Sequence, residues 1–213
     1  MSDFLRLHRL AWRVRNLGIG ERIVVWTQGC DLKCPGCCSV NSQELLGGAI
    51  QTIEEWMTTF ENVLQGAVPD GLTISGGEPT LQASSVSALI SAMRLRLPGI
   101  DVLLYSGRSW GRLQQDFSDL VEKCDLVISE PFVAGIPPIS NLHGSGNQTI
   151  HMLTPLAKER YVGCLSGTEM KPLAVTSVTG RQISAVGIPS QINMLSKALG
   201  KRGIQLEQPS WRI

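Results

Sequence analysis

Residues 25–41 have the sequence VWTQGCDLKCPGCCSVN, and nine positions within this segment hold four of the chain's six cysteines. The residues just before it, 23–26, form a short apolar run of the kind found in buried parallel strands. The cysteines therefore lie in a loop that directly follows a strand. Three kinds of site use thiols at this density: a disulfide, a zinc site and an iron–sulfur cluster.

Length and charge limit the classes of protein to consider. A chain of 213 residues suits one domain with a small appendage. Its net charge of +1 gives no electrostatic reason to expect nucleic acid or an anionic membrane as a partner. No apolar run is long enough to cross a bilayer, and the first residues, MSDFLRLHRLAW, lack the features of a secretory signal. We expect a cytoplasmic protein that binds neither nucleic acid nor membranes.

Four arginines lie close together near the N-terminus: Arg6, Arg9, Arg13 and Arg15. They are interleaved with the apolar residues Leu10, Trp12 and Val14, which is typical of a strand with one solvated face. We interpret this segment as an edge strand and its arginines as the solvated face.

Farther along, apolar strands alternate with two-faced helices. Helices are predicted over residues 51–66, over a segment ending at Pro98 and over residues 110–123, and Thr52 with Glu55 forms a capping box for the first. Strands are predicted over residues 72–74, 102–105, 126–128 and 149–153. This alternation predicts an α/β fold with a mostly parallel sheet and right-handed crossovers.

Unusual residues follow several of these strands directly. The cysteine loop follows the first strand, Gly76-Gly77-Glu78 the second, Ser106-Gly107 the third and Ser129-Glu130 the fourth. Functional groups of parallel sheets gather at the carboxyl ends of the strands. We therefore expect these four loops to meet at one edge of the sheet.

The pattern changes near residue 155, so we divide the chain into a core of residues 1–155 and an extension of residues 156–213. In the extension, residues 174–178 and 182–186 form a predicted hairpin. A helix near residues 190–199 and a last strand near residues 203–206 are predicted to follow.

The chemistry of disulfides, zinc sites and iron–sulfur clusters makes some uses of these cysteines less favourable than others but does not select one. Disulfides are rare in the cytoplasm, and the adjacent Cys37 and Cys38 would form a strained one. A structural zinc ion needs four ligands, and the sequence offers no second ligand pair at zinc-like spacing. An iron–sulfur cube usually takes four thiolates, so Cys30, Cys34 and Cys37 alone would leave one iron open to another ligand. Cys38, Cys124 and Cys164 are then best interpreted as small buried apolar residues.

Six segments in order resemble one known family: GIGERIVVWTQGC, CPGC, LTISGGEP, PGIDVLLYSG, CDLVISEPF and GSGNQTIHML. Together they are similar to the radical S-adenosylmethionine (SAM) superfamily. Within it, the chain most resembles the anaerobic ribonucleotide reductase activating proteins, which are small glycyl-radical-enzyme activases. The resemblance implies a partial (βα)6 barrel, to which this chain adds the small α+β extension predicted above.

The resemblance also implies cofactors and the residues that bind them. A [4Fe-4S] cluster would be ligated by Cys30, Cys34 and Cys37, and SAM would chelate the fourth iron. SAM would be held by Gly76, Gly77, Glu78 and Ser106, with Asn147 as a further candidate. The reduced cluster would cleave SAM to methionine and a 5′-deoxyadenosyl radical, with an external flavodoxin or ferredoxin as electron donor. The chain departs from the family in three ways. Cys38-Ser39 stands where many members have Tyr or His followed by Asn, Ser129 stands where they often have an aspartate, and the extension continues past the family's usual end.

Three functional hypotheses follow. The first is an activase that installs a glycyl radical on a partner protein. The second is a radical SAM enzyme that modifies a small molecule or a peptide. The third is a metal-binding module without catalytic activity.

Overall fold

The structure is a computed structural model and describes residues 4–165, 175–179, 182–186 and 196–205. Its main sheet has seven strands: β1 (Phe4–Val14), β2 (Arg22–Thr27), β3 (Ala49–Thr52), β4 (Gly71–Gly76), β5 (Asp101–Tyr105), β6 (Leu126–Ser129) and β7 (Thr149–Met152). Across the sheet their order is β3-β1-β2-β4-β5-β6-β7. The α/β class predicted from the sequence is confirmed.

The four central strands, β2, β4, β5 and β6, run parallel to one another, as the strand–helix alternation predicted. The strands outside them are antiparallel to their neighbours. The described residues thus form an open sheet with β3 and β7 at its edges, and they contain four parallel strands where the resemblance implied six βα units.

Five α-helices follow or connect the strands within residues 4–165: α1 (Ile53–Leu64), α2 (Ala83–Arg96), α3 (Trp110–Asp116), α4 (Ser118–Val121) and α5 (Pro155–Leu165). The capping box of Thr52 and Glu55 is present at the start of α1, as predicted. The single helix predicted over residues 110–123 is interrupted at Phe117, whose φ of −135° is not helical. Among the described residues no helix combines the length and apolarity needed to cross a bilayer.

The two faces of the sheet bury different elements. On the first face, strand residues such as Ile23, Ile74 and Leu104 pack against α1, α2, α3 and α4 in one large core. Because side chains alternate along a strand, their neighbours point to the other side, which we call the second face. There, α5 packs on β5 and β6, and β1 and β2 contact Val186 from the C-terminal part of the chain.

The prediction of β1 as an edge strand is wrong for its first part. β3 pairs with residues Phe4 to Leu7 on the side away from β2, so this part lies inside the sheet and its Leu5 and Leu7 are buried. In the described ranges, the residues of β1 after Leu7 pair with β2 alone. β3 was missed because it has only four residues, all at least partly exposed, and its last residue also caps α1. Two irregularities interrupt the pairing of β1 with β2, one between Leu7 and Arg9 and one between Ala11 and Val14.

The predicted C-terminal hairpin is present as the antiparallel strands β8 (Val175–Thr179) and β9 (Gln182–Val186). Residues 196–200 are helical, within one residue of the predicted helix end, whereas residues 190–195 lie outside the described ranges. The strand predicted near residues 203–206 is not found at residues 203–205, and residue 206 is not described.

A buried ion pair ties the amino ends of the central strands together. Arg22 at the start of β2 pairs with Asp101 at the start of β5, and both side chains are at most 1% exposed. Asp101 also accepts hydrogen bonds from Arg160 and from the Tyr161 hydroxyl of α5, at 2.9 and 3.0 Å. The Arg22 guanidinium also donates to Thr73 Oγ1 at 2.6 Å, so three strands and α5 meet at this pair.

We expect Asp101→Asn to lower the free energy of unfolding by about 3–5 kcal/mol, because it leaves the Arg22 cation buried without its counterion. Urea unfolding followed by circular dichroism measures this change. Asp116→Asn breaks an exposed pair with Arg112 and serves as the control, with an expected loss below about 1 kcal/mol. Equal losses in the two variants would contradict the importance of the buried pair.

Candidate active site

The strand-end loops meet at the carboxyl edge of the parallel strands, as predicted. One cavity of about 250 Å³ is lined by residues from four of them. The cysteine loop contributes Cys30, Cys34, Cys37 and Cys38, and the other loops contribute Gly76, Gly77, Glu78, Ser106, Gly107 and Glu130. Residues that are far apart in sequence therefore face a common space, which fits a site larger than a single ion.

Backbone hydrogen bonds fix the shape of the cysteine loop. The loop leaves β2 through Gly29, whose φ of +98° favours glycine, and Gly29 N donates to Ser42 O at 2.7 Å. Cys30 N donates to Gln43 O at 3.1 Å, and Cys37 N donates to Cys34 O at 3.2 Å. The loop is thus closed on itself and on the segment that follows it.

The thiols differ in burial and acidity. Cys30 is buried, and Cys34 and Cys37 are half-buried. Burial raises the pKa of the Cys34 thiol, and the neighbouring Cys37 and Cys30 raise it further. Burial followed by Cys37 raises the pKa of Cys38 to about 11, so Cys38 is a neutral thiol near pH 7. Cys38 is nevertheless half-buried, as Cys34 and Cys37 are, and lines the cavity with them, so its interpretation as a small buried residue stays a prediction.

Gly76, the last residue of β4, and Gly77 after it are required by the close approach of β2 and the cysteine loop. Gly77 N donates to Thr27 O and Glu78 N donates to Gly29 O, both at 2.8 Å. A Cβ on Gly77 would collide with the carbonyl oxygen of Gly29, and one on Gly76 would collide with the backbone of Thr27. The glycines thus let two strand-end loops touch along their backbones, a role that the sequence did not reveal.

The Glu78 carboxylate is the hub of the site. It is 1% exposed and accepts hydrogen bonds from Thr80 N and Oγ1, from Ser106 Oγ and from Gly107 N, at 2.8–3.1 Å. Within the described ranges no Lys, Arg or His forms an ion pair with it. A buried carboxylate is stable only with such hydrogen bonds or a cation. Glu78 therefore fixes Ser106 and Gly107 in place and offers a negative charge at the cavity wall.

Arg108 and Asp31 form a further link that the sequence analysis missed. Arg108 Nη2 lies 2.7 Å from both carboxylate oxygens of Asp31, and Arg108 Nε donates to Thr80 Oγ1 at 3.2 Å. The Arg108 side chain is only 7% exposed. The pair joins the cysteine loop to the loop after β5, and 77 residues of sequence separate its members, so no local pattern could indicate it.

Two other predicted positions stand apart from the cavity wall. Ser129 is fully buried, and its Oγ lies 3.0 Å from His151 Nε2, whose ring stacks on Trp110. The Asn147 amide donates to Pro131 O at 2.8 Å and accepts from Ser145 Oγ at 2.7 Å. Asn147 thus holds together the segment between β6 and β7, which lines the cavity through other residues such as Phe132 and Gly144.

A family model described as a 4Fe-4S single cluster domain matches residues 16–151. The match spans the cysteine loop, the glycine loop and every parallel strand of the sheet. The chain belongs to this family.

Named relatives are similar over much of the same region. The anaerobic ribonucleoside-triphosphate reductase-activating protein of Enterobacteria phage T4 is 26% identical over 135 residues, which are 62% of this chain and 85% of that protein. The protein of the same name from Vibrio cholerae is 27% identical over 141 residues, 64% of this chain and 91% of that protein. The pyruvate formate-lyase 1-activating enzyme of Escherichia coli is 31% identical over 114 residues, 52% of this chain and 45% of that enzyme.

These matches confirm the resemblance to radical SAM enzymes of the activating type and, with it, a [4Fe-4S] cluster and SAM as cofactors. The cavity suits both groups, because three cysteines and a buried carboxylate line it together. In the described part of the chain no three Cys, His, Asp or Glu side chains could hold one metal ion. A cluster binds each thiolate on a separate iron, so its ligands need not converge on a point.

We expect Gly77→Ala to lower the free energy of unfolding by about 1–3 kcal/mol, because the added methyl group collides with the Gly29 carbonyl. Chemical denaturation measures the change. Gly99→Ala is the matched control, since a Cβ there meets nothing within 4 Å. If both variants unfold at the same denaturant concentration, the close approach of the two loops is not a constraint.

Proposed function

We propose that this protein reductively cleaves SAM at a [4Fe-4S] cluster and uses the reaction to generate a glycyl radical on a partner enzyme. The observation that carries the proposal is the meeting of three cysteines with the Glu78 carboxylate in one cavity at the carboxyl edge of the sheet. The names of the relatives, which activate anaerobic ribonucleotide reductase and pyruvate formate-lyase, support the choice of reaction.

In this proposal Cys30, Cys34 and Cys37 ligate the cluster and leave its fourth iron for SAM. When bound, the cluster and SAM supply a 5′-deoxyadenosyl radical, the species that abstracts a hydrogen atom from the substrate. The protein contributes binding, orientation and shielding. Cys30, the buried member of the three, also orders the loop through its backbone bond to Gln43.

For SAM, we propose that Glu78 faces the ammonium group of the methionine part. The carboxylate is buried, lines the cavity and has no cationic partner among the described residues, so a cation placed beside it would be stabilised. Gly76 and Gly77 bring the backbone close to the ligand, and Ser106 borders the nucleoside part. Asn147 contributes by holding the segment between β6 and β7 against the cavity.

The remaining assignments are also proposals. Residues 1–155 are assigned to the catalytic core and residues 156–213 to an extension that shapes the cavity or docks the partner. Val186 of β9 lines the cavity, which supports the first of these roles. The electron donor is proposed to be a flavodoxin or a ferredoxin, and the location the cytoplasm.

A second candidate is a radical SAM enzyme that acts on a small molecule or peptide. The position of Val186 favours it, because a hairpin beside the cavity leaves less room for a large partner. Both candidates share the cluster and the cleavage of SAM, and they differ only in what enters the cavity.

We expect Cys30→Ala, Cys34→Ala and Cys37→Ala each to abolish SAM cleavage, since each removes a cluster ligand. Anaerobically reconstituted protein is assayed for iron, expected at about four per chain, the number in a [4Fe-4S] cube, and for release of 5′-deoxyadenosine with dithionite. Cys38→Ala is expected to keep both, and so is the control Cys124→Ala, whose thiol bonds to Leu120 O within the helical core. Loss of the cluster in Cys38→Ala but not in Cys37→Ala would refute the ligand assignment, and colourless zinc-containing protein would favour the non-catalytic module.

The activase hypothesis predicts a glycyl radical on a partner. Electron paramagnetic resonance of the reconstituted protein with SAM, reductant and a co-encoded glycyl radical enzyme should give that signal, and omission of SAM should remove it. A gene neighbourhood without any glycyl radical enzyme, or a partner that never acquires the signal, would favour the second candidate.

A further inference from the structure

An irregularity in β1 turns Arg9 into the cavity. Leu7 pairs with Thr27, and the next pair is Arg9 with Trp26, so β1 advances two residues while β2 advances one. In a regular strand residues 7 and 9 would face the same side, and Leu7 lies in the core on the first face. The bulge instead places Arg9 beside Trp26 on the second face, and both residues line the cavity. Bulges often redirect side chains next to active sites.

Arg9 differs from the other arginines of the N-terminal segment. Arg6 donates to the carbonyls of Leu46 and Gly47, and Arg13 and Arg15 pair with Glu21. No carboxylate in the described ranges forms an ion pair with Arg9. Its guanidinium carbon lies 5.7 Å from the centre of the Trp26 ring, which orients the group. Burial lowers the pKa of Arg9, and no anion among these residues offsets that cost.

Three other titratable side chains that line the cavity, Glu78, Glu130 and His8, do not neutralise the positive charge of Arg9. The Glu78 carboxylate is bonded to Thr80, Ser106 and Gly107, and a Glu130 carboxylate oxygen accepts from Trp110 N at 3.0 Å. Burial lowers the pKa of His8, next to Arg9 in sequence, so His8 is neutral near pH 7. An anion that enters this side of the cavity would therefore meet a cation that forms no ion pair with a carboxylate of the described residues.

Arg9 lies away from the residues proposed for SAM. It is opposite Trp26 of β2, which in turn is opposite Ser75 of β4, just before the glycine loop. Two strand spacings separate Arg9 from Ser75, which is roughly 10 Å. Glu78 follows β4, the strand of Ser75, and Ser106 follows β5, which is one strand farther from β1. The cavity thus has an anionic wall near β4 and β5 and a cationic wall at β1.

We infer that Arg9 is a specificity residue that binds an oxyanion, a carboxylate or a phosphate, carried by the substrate that enters this cavity. The inference rests on the proposed function, because it assumes that the cavity holds SAM and a substrate together. A guanidinium fork matches both kinds of oxyanion through two parallel hydrogen bonds, which an ammonium group cannot form. The substrate would lie between Arg9 and SAM, with its anionic group toward β1.

Binding of small probes to the reconstituted full chain tests this inference. With SAM saturating and no reductant present, calorimetry measures the affinity of N-acetyl-glycyl-aspartate amide and of its asparagine counterpart. We expect the acidic probe to bind at least about tenfold more tightly, the effect of one charge-assisted hydrogen bond. Arg9→Gln should abolish the preference and Arg9→Lys should retain part of it. Arg6→Gln removes the same charge from the same strand and should leave the preference intact.

Competition with inorganic phosphate and with acetate separates the two kinds of oxyanion, and stronger competition by either one supports the inference. Three results would overturn it: no binding of the acidic probe at millimolar concentration, equal affinity of the two probes, or a preference that survives Arg9→Gln. A weaker affinity of Arg9→Gln for SAM itself would also overturn it, by assigning the oxyanion to the SAM carboxylate. The calorimetric assay uses no radical chemistry. A failure of the proposed SAM cleavage would appear only in the 5′-deoxyadenosine assay, so the two failures can be distinguished.

Discussion

The site depends on the hydrogen bonds that the buried Glu78 carboxylate accepts. The carboxylate receives hydrogen bonds from its own loop and from the loop after β5, while the backbone of Gly77 and Glu78 is bonded to the end of β2 and to the cysteine loop. Arg108, in the loop after β5, also bonds to Thr80 and to Asp31 of the cysteine loop. Three loops that follow three parallel strands are therefore held as one unit. Loops fixed in this way can present several ligands to one large cofactor.

The two ends of the parallel strands have different tasks. At the amino ends, Arg22 and Asp101 form a buried pair that fastens β2, β5 and α5 together. At the carboxyl ends, polar groups surround a cavity, and the cysteines and Glu78 among them are the groups proposed to bind ligands. The two faces differ as well, because one packs against α1 to α4 and the other borders the cavity. Groups that stabilise the fold thus lie at the amino ends of the strands and on the first face, and groups that could bind ligands lie at the carboxyl ends and on the second face.

The sequence predicted the parallel core strands, the helices between them and the meeting of four loops, because these depend on local apolar periodicity and on the rule that parallel strands end together. It did not predict β3, whose few exposed residues lack a pattern, and so it placed the first part of β1, residues Phe4 to Leu7, at an edge. The bulge before Arg9 depends on pairing with β2, and the Asp31–Arg108 pair depends on contact across 77 residues. Such features arise only from tertiary structure, and they decide which polar groups face the cavity.

The proposed activity requires three thiolates to hold an iron cube whose remaining corner is open to SAM. Mössbauer spectroscopy of protein reconstituted anaerobically with iron-57 distinguishes that corner from the other three. We expect one iron that differs from the rest and whose signal changes when SAM is added. Four irons that all ignore SAM, or a spectrum without a cubic cluster, would contradict it.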